Sequence, residues 1–170
     1  MKEQFIEYPN LPESRVTLTL AGNYPEVIDA LNTEGIKTLS FHSSVLPDET
    51  AKHSDMLFCH IGKEHIFAVP GIDTSVLSES GFLVHLSDEI KALYPDDVKL
   101  NTAVGNGVYI YNPLTIDKNL QKELILRGFK GISVKQGYSK CSVCFVTDNA
   151  IITEDPSLSK ALKDTSYNVL

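Results

Sequence analysis

A repeat governs what this 170-residue chain can fold into. Three segments read as a helix closed by glycine and followed at once by an apolar strand. They are Pro25 to Glu34 with Gly35 and Ile36 to Phe41, Thr74 to Ser80 with Gly81 and Phe82 to Leu86, and Asp117 to Arg127 with Gly128 and Phe129 to Val134. Gly35 and Gly81 are 46 positions apart, Gly81 and Gly128 are 47, so the period is steady. Glycine suits the junction because a helix commonly ends on a residue at positive φ, which costs glycine little. A recurrence of this length marks one supersecondary unit used several times.

Three β-hairpins are expected between these segments. Met56 to Ile61 turns at Gly62-Lys63-Glu64 into His65 to Val69. Thr102 to Val104 turns near Gly105-Asn106-Gly107 into Val108 to Tyr111, and Cys141 to Thr147 turns at Asp148-Asn149 into Ala150 to Thr153. Asn-Gly favours a tight turn because both residues tolerate positive φ, and Asp-Asn is a weaker form of that signal. Asp73 and Asp155 are expected helix N-caps. The unit is therefore strand, turn, strand, helix, glycine, strand, which predicts an α/β fold of repeated ββαβ modules, about four of them. A doubly wound parallel sheet would need a helix between successive strands, and the hairpins interrupt that alternation. No G-x-G-x-x-G or Walker lysine loop is present to hold a nucleotide.

The ends break the pattern. After an N-terminal tail over residues 1–12, Arg15 to Leu20 supplies a lone strand before the first helix. At the other end, a helix is expected over Pro156 to Lys163. Asn168 falls 40 positions after Gly128, near where the next helix-ending residue belongs. The expectation is a single domain over residues 1–170 whose last strand has barely begun, the chain being either short of a C-terminal portion or a natural short form.

Composition narrows the partners. A formal net charge of -7 repels phosphate backbones, and no lysine and arginine stripe offsets it, so nucleic acid is not expected. The segment Met1 to Pro9 lacks the apolar core of a signal peptide, and no run reaches the roughly 18 apolar residues of a membrane span. Three cysteines, Cys59, Cys141 and Cys144, are too few for a disulfide scaffold and point to a reducing cytoplasm.

Cys141 and Cys144 form a C-x-x-C, the spacing of a redox pair or half a zinc site. On a strand, residues three apart point to opposite faces, so the thiols are expected to diverge. Zinc would need two further ligands, and Cys59-His60 is the only obvious supplier; no metal or other cofactor is expected. Cys144, between Val143 and Phe145, reads as core. Cys141 follows Lys135 and Lys140, whose charge would favour a thiolate if they stand close. A nucleophilic cysteine needs a histidine and a carboxylate, and His60 and Asp55 are available from another unit. Five positions apart, those two face opposite ways on a regular strand unless Asp55 precedes it. The plainer alternative makes Asp55 a strand cap and His60 a half-buried polar residue. Lys135, Gln136, Tyr138, Ser139 and Lys140 join a strand to a hairpin, where a loop can present donors to a small anion and Gly137 permits close approach; a solvated surface loop fits the same residues. Asn101, at the matching approach to the second hairpin, is either an amide for the same cavity or a turn cap.

A ββαβ unit repeated about an axis resembles the pentein fold of guanidine-modifying enzymes. The resemblance is most specific over Val134 to Cys144, Asp148 and Ile151-Ile152-Thr153, with His53-Ser54-Asp55 and Asn101-Thr102-Ala103 adding to it. These residues look like an uncharacterised bacterial family assigned to that fold, frequent among clostridia and their relatives. The resemblance implies a pentein-like α/β propeller, here incomplete at about four of five units, with loops from distant segments meeting at one centre. It implies a cysteine-dependent hydrolase or amidinotransferase acting on the C–N bonds of an arginine-like compound. In that case Cys141 attacks, His60 transfers protons, Asp55 and Asn101 hold the cation, and Lys135 or Lys140 holds a carboxylate. The chain departs from the family in lacking a fifth unit, and the family's nucleophile usually lies near the C-terminal end. A non-catalytic ligand- or protein-binding module of the same fold is the second reading, and a structural assembly protein the third. Uncovered strand edges favour a homo-oligomer under each.

Overall fold

The computed structural model describes residues 5–170. Of the tail expected over residues 1–12, and of the segment read for a leader, the first four residues lie outside the described residues. The fold is mixed α/β with four small sheets, and among the described residues no strand pairing joins one sheet to another. The first sheet pairs β1 (Leu18–Leu20) with β2 (Lys37–Leu39) in parallel, across α1 (Pro25–Thr33). The next three repeat one pattern. A first strand pairs antiparallel with a second, a helix follows, and a third strand returns parallel to the second.

In one unit these are β3 (Phe58–His60), β4 (His65–Ala68), α3 (Ser75–Glu79) and β5 (Leu83–Leu86), with a one-turn helix, α2 (Ser54–Leu57), ahead of them. In the next they are β6 (Ala103–Val104), β7 (Val108–Tyr111), α4 (Lys118–Leu126) and β8 (Lys130–Ser133). In the last they are β9 (Cys144–Thr147), β10 (Ala150–Ile152), α5 (Pro156–Leu162) and β11 (Asn168–Val169). The expected ββαβ unit is therefore present three times, and β1, α1 and β2 form the same unit without its first strand.

The junctions obey the local chemistry that predicted them. Gly35, Gly81 and Gly128 have φ of +73°, +93° and +82°, the left-handed conformation that closes each helix and releases the chain into a strand. Asp117 caps α4 by accepting from the Leu120 N–H at 2.8 Å, and its second oxygen accepts from the Asp88 N–H at 2.8 Å. Asp155 caps α5 through the Ser157 and Leu158 N–H groups at 2.7 and 3.0 Å. Asp73 accepts from the Ser75 N–H at 3.0 Å, but the residue in the N-cap place of α3 is Thr74, one position later than expected.

Two helices turn an i, i+4 apolar stripe to the interior, Leu120 with Leu124 on α4 and Leu158 with Leu162 on α5, all fully buried. The main core gathers the second and third units around Met56, Leu57, Ile66, Leu77, Leu100 and Leu120. A second core joins Ile110 of the third unit to Ile151, Leu158 and Leu162 of the fourth. Burying each such side chain contributes about 2 kcal/mol, so the units hold one another through shared apolar surface. Among the described residues no helix is long and apolar enough to cross a membrane.

Three expectations are corrected. Met56 and Leu57 belong to α2 and not to a strand; their apolar side chains are buried from a helical turn as readily as from a strand. The strand expected from Cys141 begins only at Cys144, and Cys144 is exposed, because Phe145 is the residue that turns inward. Asn168 does not end a helix: α5 stops at Leu162, and Asn168 pairs with Ala150 in a parallel ladder.

Candidate functional site

Asp55, Asn101 and Cys141 stand at equivalent places in three successive units. Asp55 lies three positions before β3, Asn101 two before β6, and Cys141 three before β9. The packing of the units brings these approach segments together. The Cys141 thiol donates to Asp55 Oδ2 at 2.6 Å, and Asn101 Nδ2 donates to the Cys141 sulfur at 3.0 Å. The same amide lies 3.5 Å from Asp55 Oδ2 and 3.4 Å from the Asp55 carbonyl. Asn101 Oδ1 accepts from the Lys140 and Cys141 N–H groups at 2.8 and 3.3 Å. Asn101 is only 2% exposed, so it clamps the turn that carries Cys141 with both ends of its amide. The position of Asp55 on α2, ahead of β3, removes the alternation that would have set it opposite His60.

The electrostatics keep the thiol protonated. Burial of the sulfur and then the Asp55 carboxylate push the Cys141 thiol up to about 12, from an ordinary 9.0. The residue as a whole is exposed, so the carboxylate at 2.6 Å is the firmer of those two causes. The lysine charge expected to favour a thiolate is outweighed. Lys140 acts in that direction but is the weakest contributor, and Lys135 is exposed with its carbonyl held by Asn112 Nδ2 at 2.8 Å.

His60 lies on β3, half-buried, with Nε2 bonded to the Lys63 carbonyl at 2.7 Å. Because a carbonyl only accepts, Nε2 carries the proton. Burial lowers the His60 pKa, the Lys63 hydrogen bond opposes that, and Lys140 lowers it further. Among the described residues His60 makes no hydrogen bond to Cys141 or Asp55.

The loop from Lys135 to Lys140 divides between architecture and site. Gln136 Nε2 donates to Asp155 at 2.7 Å, Ser139 Oγ donates to the Gln136 carbonyl at 2.7 Å, and Gly137 lies under the Tyr94 ring. Tyr138 donates its phenol proton to Asp97 at 3.0 Å, and burial followed by that bond pushes the phenol up to about 12. Lys140 is different: its Nζ lies 3.4 Å from the Phe58 carbonyl and it reaches the wall of a cavity.

That cavity encloses about 620 Å3, within the range of small-molecule sites. Asp55, His60 and Lys140 line it, together with Ser54, Arg15 and the strand β1. The segment from Phe5 to Pro12 passes along its other side, held where the Lys63 N–H donates to the Ile6 carbonyl at 2.8 Å. Reasoning from sequence missed Asp97, a buried carboxylate whose Oδ1 has no partner among the described residues, and missed the contribution of β1 and Arg15 to the cavity. No local signal marks Asp97; the adjacent pair Asp96-Asp97 reads as solvated surface.

The model of DUF6873, a family of unknown function, matches residues 20–170. No curated protein matches the chain. Among solved structures, the N-terminal domain of ArgZ bound to product, an arginine dihydrolase from the ornithine–ammonia cycle in Cyanobacteria, is 16% identical with a TM-score of 0.43. That match covers 73% of this chain and 46% of the other. A variant of the ArgZ N-terminal domain, covalently bound to a reaction intermediate, is 17% identical with a TM-score of 0.45, over 81% of this chain and 50% of the other. The chain spans about half the length of these structures.

Proposed function

We propose that this chain, which belongs to the DUF6873 family of unknown function, binds a small arginine-like compound by its guanidino or amidino group at Asp55. The observation that carries the reading is the meeting of Asp55, Asn101 and Cys141 beside the 620 Å3 cavity. A planar cation suits a carboxylate because two N–H donors can reach its two oxygens at once. Lys140, which also lines the cavity, suits a carboxylate at the other end of such a compound, whereas the Arg15 guanidinium is engaged by the Glu34 carbonyl. Three equivalent approach segments converging on one point also support a pentein-like arrangement of the units about a centre, an incomplete propeller. Three free thiols suit a cytoplasmic setting.

Binding is favoured over catalysis by the state of the two groups that chemistry would need. The thiol is held protonated, and the proton-bearing nitrogen of His60 is committed to the Lys63 carbonyl. The catalytic reading, a cysteine-dependent hydrolase or amidinotransferase, draws on one contact: the 2.6 Å hydrogen bond puts a proton acceptor against the sulfur. A cation on Asp55 would offset the carboxylate charge and bring the thiol's pKa down.

Calorimetric titration with arginine, agmatine and the uncharged ureido analogue citrulline tests the reading. Binding of the two cations, lost in Asp55→Asn and absent for citrulline, is expected. Equal binding of citrulline, or cation binding that survives Asp55→Asn, overturns it. Release of ammonia or urea in the same mixtures, abolished by Cys141→Ser, would establish the catalytic reading over the binding one.

A further inference from the structure

The cavity beside Asp55 runs along a strand that, among the described residues, is paired on one edge alone. In the three full units the middle strand, β4, β7 or β10, has an antiparallel partner on one side and a parallel partner on the other. β1 takes the middle place in the first unit and, among the described residues, pairs only with β2. The ladder fixes which of its groups are left over. The Lys37 N–H donates to the Thr17 carbonyl at 2.8 Å, and the Ala21 N–H donates to the Leu39 carbonyl at 3.1 Å. Alternate residues of a strand address the same neighbour, so Thr17, Thr19 and Ala21 face β2, and Leu18 and Leu20 turn their N–H and C=O groups to the other side. At the place on β4 that matches Leu18, the His65 carbonyl accepts from the Ile61 N–H at 3.1 Å, and at the place that matches Leu20, Phe67 pairs with Cys59 of β3. Among the described residues no backbone hydrogen bond reaches Leu18 or Leu20 on that side.

Leu18 and Leu20 line the cavity that Asp55 lines. The start of α1, just after β1, is tied to the start of α2, where the Tyr24 hydroxyl and His53 Nε2 are 2.7 Å apart. Ser54, next to Asp55 on the same wall, has a buried hydroxyl without a partner among the described residues. An open ladder, an unpaired hydroxyl and a carboxylate thus border one space.

We infer that this edge takes an extended peptide as the missing antiparallel strand, and that the site holds an arginine residue within that peptide more tightly than the free amino acid. The inference rests on the reading of Asp55 as the cation anchor. A peptide added to a sheet edge draws affinity from main-chain hydrogen bonds and selectivity from pockets for alternate side chains. Here the main-chain partners are Leu18 and Leu20, and the pocket for a cationic side chain is the one at Asp55. The single cation of such a peptide complements Asp55, the one carboxylate among the described residues that line the cavity.

Calorimetry decides it with three probes: acetyl-arginine methylamide, a capped pentapeptide with a central arginine flanked by valines, and the same peptide N-methylated at alternate amides. The pentapeptide should bind about tenfold or more tighter than the single residue, and N-methylation should erase the gain. Leu18→Pro should erase it too, since its lost N–H faces the open edge and not β2; the N-methylated peptide gives the same reading on the unaltered protein if that variant does not fold. Equal, Asp55-dependent affinity for all three overturns the edge and leaves the cation anchor standing. Peptide binding that is N-methyl-sensitive yet unchanged in Asp55→Asn overturns the arginine assignment. A dimer in gel filtration that excess pentapeptide fails to dissociate, with no peptide bound, shows the edge held by a second copy and overturns the proposal.

Discussion

The Cys141 thiol and the Asp55 carboxylate meet at 2.6 Å although 86 positions separate them in the chain. An exposed cysteine that keeps its proton in a hydrogen bond to a carboxylate is a poor nucleophile at rest, because the thiolate is the reactive form. The contact makes the reactivity of Cys141 a readout of what occupies Asp55.

Asp55→Asn should therefore speed alkylation of Cys141 by iodoacetamide. Removing the carboxylate charge takes away the second-largest cause of the raised pKa and leaves burial in place. Each unit of fall gives about tenfold more thiolate wherever pH lies below the pKa. A pH profile of the alkylation rate, with Cys144 followed separately by peptide mass, should show the Cys141 curve displaced several-fold upward near pH 9. An unchanged curve would remove Asp55 as the controlling group.

Cys59 should make the protein lose stability in alkali. It is buried, and burial pushes its thiol up to about 11 from 9.0. The folded state keeps that proton while the unfolded chain releases it, so the stabilisation is complete below pH 9 and is lost as pH rises toward 11. A shift of this size corresponds to about 2 to 3 kcal/mol. Urea unfolding at about pH 8 and pH 11 should show a smaller fall for Cys59→Ala than for the wild type, the other titrating groups cancelling in the difference.

Asp155→Ala should weaken the last unit by about 1 kcal/mol, the usual cost of losing an N-cap. The Ser157 side chain, the Leu158 N–H and Gln136 together hold the Asp155 carboxyl down to about 2. Its contribution is therefore full above the ordinary carboxylate pKa and fades as pH falls from about 4 toward 2. Hydrogen exchange across α5 should quicken in the variant at neutral pH, and wild type and variant should converge in acid.

Gly62→Ala should loosen the segment that walls the cavity. Gly62 has φ of +100°, and a Cβ there would overlap the Glu7 carbonyl oxygen. Relief requires the segment to move off the hairpin, breaking the bond from the Lys63 N–H to Ile6. A loss of about 1 to 3 kcal/mol is expected from the strained φ alone, with faster proteolysis near residues 5–12 as the local signature.

The units were legible because their signals are local. A glycine at positive φ, an Asp cap and an Asn-Gly turn act within a few residues, so helix, hairpin and strand could be placed one module at a time. Errors arose where two local structures serve one apolar pattern, as at Met56-Leu57, which is buried equally well from α2. They also arose where a single position of strand onset decides which face is inside, as with Cys144 and Phe145. The contacts among Asp55, Asn101 and Cys141 belong to the packing of units, and no spacing within the chain encodes their distances. The partnership of Tyr138 with Asp97 is of the same kind, since a phenol pulled from water takes whichever acceptor the neighbouring unit presents.

Because Asp55, Asn101 and Cys141 are contributed by three different modules, an occupant of their meeting point would act as a clasp on the tertiary structure. No one module can swing away without ejecting it, so the cost of each local opening would rise with occupancy, by about 2.7 kcal/mol at a hundredfold excess over the dissociation constant. Amides in β3, β6 and β9 would then slow their exchange together, at one common ligand concentration, although those strands share no hydrogen bond.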